Sequence, residues 1–262
     1  MTGAGLPPAA VAPGEAHLWV LRAPSDDAGP APLATHELGP AETRRASAFR
    51  RPGDRLTYTA AHIALRRLLS VYTGIRPEHL RLDRAPCPHC AGGHGPPVLT
   101  GTAGPPHFSL SHSHGMVAVG VAGAPVGVDV QRLPTAESAR ACLPMLHPAE
   151  RRELETVPLP LLPAAFGELW ARKEAYLKGL GIGLCRGADT HYLGSGGPGA
   201  PDRPAGWSVR GLPVRDGYAT ATALRADTPH RTVTRHLPEE WLYAEDATDL
   251  IAAARPGTTR HH

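Results

Sequence analysis

Apolar positions recur along this chain with two periods, and each change of period marks an element. Residues 17–22 (His-Leu-Trp-Val-Leu-Arg) form a short apolar run that predicts a first strand. The small, proline-rich residues 1–16 read as a frayed end, and 23–39, with Pro24, Pro30 and Pro32, reads as a loop. A helix is predicted over 41–48, entered through Pro40. A longer helix is predicted over 54–72. Asp54 stands as its N-cap after Pro52-Gly53, and Leu56, Ala60, Ile63 and Leu68 recur at roughly helical spacing up to a stop at Gly74.

Residues 84–107 are turn-rich. Three short apolar runs follow, 108–111, 116–121 and 126–130, punctuated by glycine and proline in an antiparallel pattern. Helical periodicity returns over 134–154 and again over 164–180, where Gly179-Leu180-Gly181 ends it. Residues 194–206 read as a flexible loop. The alternation in 207–214 and 218–224 predicts a hairpin across Asp216-Gly217. The stretch after Thr248 reads as peripheral, with His261-His262 as tail, and no internal repeat is visible.

Composition narrows the class. At 262 residues, 42% hydrophobic and 19% charged, the chain can bury one large core or two small ones. Glycine and proline, 29 of each, imply many turns around that core. Collagen, coiled-coil and membrane classes are excluded, since the longest mostly apolar stretch, 116–130, is interrupted and too short to cross a bilayer. The net charge of +3 is milder than a generic nucleic-acid binder carries. Lys173 and Lys178 are the only lysines, so arginine supplies the remaining basic side chains, a composition that a GC-rich coding sequence produces by itself. The N-terminal residues lack the basic-then-apolar pattern of a signal peptide, and four cysteines do not read as a secreted disulfide framework. A cytoplasmic, monomeric protein with no membrane partner is expected.

Three segments carry candidate chemistry. On the 164–180 helix, Phe166, Trp170, Leu177 and Leu180 form an apolar stripe, with Glu174 and Lys178 one turn apart beside it. Taken alone, that pair reads as a solvated i,i+4 ion pair. Asp129 lies near the end of the apolar strand Val126-Gly-Val-Asp-Val130, its side chain opposed to those of Val128 and Val130. Alone it reads as a loop cap. A strand aspartate with a helix glutamate, however, is the oxygen set that holds Mg²⁺, leaving positions for phosphate and water, and Lys178 supplies a point charge for the same phosphate. Ser111 and His112, in Phe108-Ser-Leu-Ser-His-Ser113, end a short strand with a hydroxyl and an imidazole. No nucleophile elbow surrounds them, so anion contact is the functional reading and a turn cap the plain one.

Phe108-Ser-Leu-Ser-His-Ser113, Val126-Gly-Val-Asp-Val130 and Leu169-Trp-Ala-Arg-Lys-Glu-Ala-Tyr-Leu-Lys178, in that order and spacing, resemble the 4′-phosphopantetheinyl transferases. The likeness is to the larger, two-lobed class that activates peptide- and polyketide-synthase carrier proteins, and it runs from about Pro40 to Leu224. It implies an α/β (α+β) fold of two similar lobes, each a small antiparallel sheet with packed helices. The lobes would be related by a pseudo-twofold, with the site in the cleft between them. Residues 1–124 would form the coenzyme A phosphate lobe, and 125–262 the lobe of the metal ligands and catalytic helix. The implied reaction moves the phosphopantetheine arm of coenzyme A to a serine of an apo acyl or peptidyl carrier protein, with Mg²⁺, releasing adenosine 3′,5′-bisphosphate. Asp129 and Glu174 would be Mg²⁺ ligands, Glu174 also the base, and Lys178 would face the pyrophosphate. Ser111 and His112 would contact coenzyme A phosphates, His112 the 3′-phosphate.

Within the cluster Arg44, Arg45, Arg50, Arg51 and Arg55, the resemblance favours Arg45, Arg50 and Arg51 for that phosphate, against a merely solvated basic face. The chain also departs from the family. Gly95-Pro96-Pro97 stands where Gly-Lys-Pro is usual, an arginine common near Thr57 has only Arg55 as a candidate counterpart, and Gln131 replaces a second strand carboxylate as a candidate metal ligand. Cys87-x2-Cys90-x3-His94, with His89 between, has a zinc-like half-pattern without a second half. The expectation there is a plain loop whose cysteines pack as small hydrophobes. Two rival functions remain: a catalytically silent carrier-protein binder, and a zinc-stabilised nucleic-acid module.

Overall fold

Two long helices, each laid on its own sheet, organise the computed structural model, which describes residues 9–25, 32–93, 95–101, 104, 106–183, 187–197 and 199–243. The strands are β1 (Glu15–Arg22), β2 (Leu82–Arg84), β3 (Pro97–Leu99), β4 (His107–Ser113), β5 (Met116–Ala122), β6 (Val126–Arg132), β7 (Trp207–Leu212), β8 (Tyr218–Arg225) and β9 (Arg231–Leu237). The helices are α1 (Pro40–Ser47), α2 (Pro52–Thr73), α3 (Ala136–Cys142), α4 (Pro148–Glu155) and α5 (Leu162–Leu180). The result is a mixed α/β fold of small sheets and helices.

Most predicted elements are present, with informative shifts. α2 begins at Pro52, whose fixed φ suits a first helical position, so Arg51 is the N-cap and Asp54 falls in the first turn. Gly74 ends α2 with φ +71, its N–H donating to the Ser70 carbonyl, as the stop signal predicts. The helical region 134–154 divides into α3, a short 3-10 turn at Leu143–Met145 and α4, because Pro144 and Pro148 each remove a helix donor. β2, which ends as the turn-rich 84–107 region begins, pairs with β3 inside it as a two-stranded ribbon.

Strand pairing departs further from the linear pattern. The first sheet has the order β4-β5-β1-β9, and the second β6-β8-β7. β4 and β5 pair antiparallel as expected, but β6 leaves them and pairs antiparallel with β8, setting Asp129 opposite Ala221. β9, which its sequence did not announce, lies parallel to β1, setting Arg235 opposite Trp19. The first sheet therefore takes a strand from the 125–262 half of the chain.

Side-chain alternation sets the layers. Trp19, Leu21, Val117, Val119 and Val121 face Ala60, Ile63, Ala64 and Leu68 of α2. Burying one such large apolar side chain is worth about 1.5–3 kcal/mol. The opposite face, with Leu18, Val20, Met116 and Ala118, meets Val128 and Val130 of the second sheet. That sheet presents Ala219, Ala221 and Ala223 to Phe166, Leu169, Ala175 and Leu177 of α5. Helix, sheet, sheet and helix thus stack in order, with β4 and β6 at the seam. Among the described residues no helix is long and apolar enough to cross a membrane.

Candidate functional site

Three serines on alternate positions of β4 reach across the seam to β6. The Ser109 hydroxyl accepts from the Val128 N–H at 3.1 Å, and the Ser113 hydroxyl accepts from the Arg132 N–H at 3.3 Å. Between them, the Ser111 hydroxyl donates to Asp129 Oδ1 at 2.7 Å. A strand period of two puts all three hydroxyls on one side, so β4 joins β6 through side chains instead of a backbone ladder. The spacing is visible in the sequence, but the partner strand is not.

α5 closes over the same point. A Cβ on Gly127 would stand 1.9 Å from the Ala175 carbonyl oxygen, so only glycine lets the α5 backbone rest on β6. The approach brings Lys178 into the seam, where its ammonium donates to Asp129 Oδ1 at 2.6 Å and to the Ser111 hydroxyl at 2.9 Å. Lys178 is therefore engaged with the strand aspartate, and the solvated Glu174–Lys178 pair is not the arrangement formed. Asp129 is 3% exposed, and its second oxygen, Oδ2, is buried without a hydrogen-bond partner. A buried, unpaired carboxylate oxygen is costly, which marks this atom as one built to receive a donor or a cation.

Glu174, half-buried on the next turn of α5, is electrostatically coupled to both groups. Burial pushes its carboxyl above the usual range, Lys178 opposes that shift and Asp129 adds to it. Two neighbouring carboxylates, one raising the pKa of the other, with a buried unpaired oxygen on Asp129, suit a divalent cation that would neutralise both. Gln131 lies two residues beyond Asp129 on the same side of β6, half-buried and opposite Ala219. Among the described residues no three His, Cys, Asp or Glu side chains gather as a metal cluster.

α5 is held from its other side by a buried ion pair. Lys173 donates to Glu150 Oε1 and Oε2 at 2.7 and 2.6 Å and to the His191 carbonyl at 2.6 Å. Glu150 also accepts from the Leu193 N–H at 2.6 Å. Consecutive helix residues differ by about 100° in direction, so anchoring Lys173 turns Glu174 toward a different neighbour. Reading the sequence alone assigned Lys173 and Glu150 no role.

His112 points to the other side of β4, away from Ser111, with its ring turned toward α2. Its ring meets the edge of Tyr58 on α2 at 6.2 Å. Burial chiefly lowers its pKa, with His62 and Lys178 adding to that and Asp54 opposing it. Tyr58 in turn stacks 4.1 Å from His62 and lies 5.3 Å from Phe49, whose ring carries the Arg45 guanidinium at 5.3 Å. The Glu42 carboxylate holds His62 Nδ1 at 2.7 Å and pairs with Arg66 at 2.6 Å. Burial raises the Glu42 pKa, yet hydrogen bonds from His62, Arg66 and the Gly39 N–H outweigh it and hold the group down at about 2.

Sequence reasoning missed this Glu42–His62–Tyr58 wall. Its available signals were the capping spacing from Gly39 to Glu42 and the i,i+4 spacing of Tyr58 and His62. Ser111, Asp129, Glu174 and Lys178 converge, with His112 at their edge. Arg45 belongs to the aromatic wall, while Arg50 and Arg51 lie exposed at the start of α2.

Residues 125–201, which carry Asp129, Glu174 and Lys178, match the family model of the 4′-phosphopantetheinyl transferase superfamily. The chain is 28% identical over 176 residues to the 4′-phosphopantetheinyl transferase HetI of Nostoc sp., covering 66% of this chain and 71% of that protein. It is 29% identical over 154 residues to a putative 4′-phosphopantetheinyl transferase of Synechocystis sp., covering 57% of this chain and 59% of that protein. The 4′-phosphopantetheinyl transferase gsp of Aneurinibacillus migulanus is 31% identical over 78 residues, 30% of this chain and 32% of its own length.

Proposed function

We propose that this chain, a homologue of 4′-phosphopantetheinyl transferases carrying a domain of their superfamily at residues 125–201, transfers the phosphopantetheine arm of coenzyme A to a serine of an apo carrier protein. Adenosine 3′,5′-bisphosphate is the second product. The observation that carries this reading is the buried, unpartnered Oδ2 of Asp129 beside the desolvated Glu174 carboxylate, with Lys178 and Ser111 fixed around them.

The donor set fits Mg²⁺, which takes carboxylate oxygens and keeps several waters. Asp129 and Glu174 would hold the ion, and Gln131 would reach it through water, bringing an amide oxygen but no charge. When bound, Mg²⁺ supplies positive charge against the pyrophosphate of coenzyme A. Lys178 and Ser111 present an ammonium and a hydroxyl to the same phosphates. His112, Arg45, Arg50 and Arg51, on the α2 side, would take the 3′-phosphate. Glu174 accepts the proton of the carrier serine, directly or through water, as that hydroxyl attacks phosphorus. Phosphoryl-type transfer of this kind needs positioning and charge neutralisation more than covalent help, which is what these side chains offer.

In this reading one lobe consists of α1, α2 and the β4-β5-β1-β9 sheet, and the other of α3 to α5 and the β6-β8-β7 sheet. Their seam is the cleft. The first lobe then takes residues 1–124 together with β9, a small amendment to a single cut after residue 124. The test is direct: incubate the protein with coenzyme A, Mg²⁺ and several apo carrier proteins, and weigh the carriers by mass spectrometry. A gain of one phosphopantetheine on the carrier serine is expected. Carriers that bind the protein but gain no mass would identify a silent carrier-protein binder instead.

A further inference from the structure

Residues 84–93 and 95–97 form a narrow hairpin with Cys87-Pro-His-Cys90 at its tip. At the neck, Arg84 pairs with Pro97, the Ala85 N–H donates to the Pro96 carbonyl at 3.0 Å, and the Arg84 guanidinium donates to the Gly95 carbonyl at 2.9 Å. At the tip, the Cys87 N–H donates to the Gly92 carbonyl at 2.7 Å, and the Cys87 carbonyl accepts from the Ala91 N–H at 2.8 Å. Ala91 adopts φ +56, a left-handed conformation that few non-glycine residues take.

This closure wraps backbone around Cys87, which is 2% exposed although the loop stands at the surface, whereas Cys90 is open to solvent. The Cys87 thiol accepts from the backbone N–H groups of Cys90 and His89 and is hydrogen-bonded to the Cys90 thiol. Those donors hold it below the ordinary thiol range, against the opposing effect of burial. One sulfur therefore sits under cover, hydrogen-bonded to a second sulfur that faces solvent. Among the described residues no third metal-ligating side chain joins them, and His94 lies outside the described residues.

We propose that Cys87 and Cys90 form a reactive dithiol that closes to an intramolecular disulfide by exchange with a low-molecular-weight disulfide. Cys90, the accessible sulfur, attacks one sulfur of the small disulfide. Its S–S bond breaks, one small thiol leaves with a proton, and Cys90 carries a mixed disulfide. Cys87 then gives up its proton and attacks the Cys90 sulfur, and the second small thiol leaves and takes up a proton. The protein dithiol loses two electrons and two protons, and the small disulfide becomes two thiols. The bond would clasp the tip of a hairpin whose neck touches α5, because a Cβ on Gly181, the C-cap of α5, would stand 2.8 Å from Pro96. The site is independent of the transferase reading.

The test uses the reduced full chain, glutathione disulfide, alkylation of remaining thiols and peptide mapping by mass spectrometry. The expected result is a Cys87–Cys90 disulfide without lasting glutathione on either residue, formed faster than any change at Cys142. Cys87→Ser should instead accumulate glutathione on Cys90, because the resolving sulfur is gone. Lasting glutathione on Cys90 of the unaltered protein would overturn the proposal. So would a pair that stays reduced while Cys142 reacts. A full equivalent of zinc on the purified protein, lost in Cys90→Ser, would replace the dithiol with a metal site.

Discussion

Lys178 Nζ lies 2.6 Å from Asp129 Oδ1, joining the last turn of α5 to β6 across a partly buried ion pair. The contact uses one oxygen of the carboxylate and leaves the other without a partner. A carboxylate satisfied on one side only is an incomplete arrangement for a purely structural pair. It is a sensible one for a site that takes a cation on the free oxygen and an anion beside the ammonium.

Asp129→Ala should lower transfer to an apo carrier at least ~10²-fold at saturating coenzyme A, with the fold retained, since it removes a metal ligand and the partner of Lys178. Glu174→Ala should do the same. Turnover across a magnesium titration, beside circular dichroism of each variant, makes the check. Near-normal turnover of either variant at limiting Mg²⁺ would remove that residue from the metal site.

His112→Ala should weaken coenzyme A binding by about 1.5–3 kcal/mol, the cost of one charge-assisted hydrogen bond. Dephospho-coenzyme A, which lacks the 3′-phosphate, should lose much less. Calorimetric binding of both ligands decides it, and equal losses would move His112 away from that phosphate. Lys178→Ala should weaken both ligands alike, because both keep the pyrophosphate.

Gln131→Ala should cost far less activity than Asp129→Ala, because an amide brings the cation no charge. Gln131→Glu should remain active and lower the Mg²⁺ concentration for half-maximal rate. A Gln131→Ala variant as inactive as Asp129→Ala would make the amide a direct and necessary ligand.

Glu150→Gln should destabilise the fold by about 3–5 kcal/mol, since it leaves Lys173 buried without its counter-charge. Urea unfolding measures this. A loss below ~1 kcal/mol would show that Lys173 finds water or another acceptor.

Stability should fall between pH 6.5 and about pH 4 through His230, which is buried between Thr222 and Ser208. Burial first, then Arg210, lowers its pKa to about 4 from the ordinary histidine value near 6.5. A depressed folded pKa means the unfolded chain takes up the proton first as pH falls. The stabilisation is therefore complete above 6.5 and is lost as pH drops through the folded value, a change of up to about 3 kcal/mol at 1.36 kcal/mol per unit. His230→Gln should flatten this part of the profile when denaturant midpoints are compared from pH 7 to 4. An unchanged slope would assign the acid sensitivity elsewhere. Glu42, held at about 2, adds its own loss only below about pH 4.5.

The sequence by itself determined the local elements. The periodicity of α2, the stop at Gly74 and the alternation of β7 and β8 lie within short windows, whereas Ser111, His112, Asp129, Glu174 and Lys178 were grouped only through the resemblance of three separate motifs to one family. Within a short window, side-chain period and turn chemistry act directly on neighbouring backbone. What crosses long separations was decided only by the tertiary structure. β9 carries a weak pattern because it is a half-exposed edge strand, and its parallel pairing with β1 joins residues far apart in the chain. β6 resembles β5 in its run of valine and glycine, yet its partner is β8. Lys178 could as well have met Glu174 one turn away, and only the bare backbone of Gly127 brings α5 close enough for the ammonium to reach Asp129 instead. Local period fixes which face a side chain takes, but the packing of distant elements chooses which charge stands opposite it.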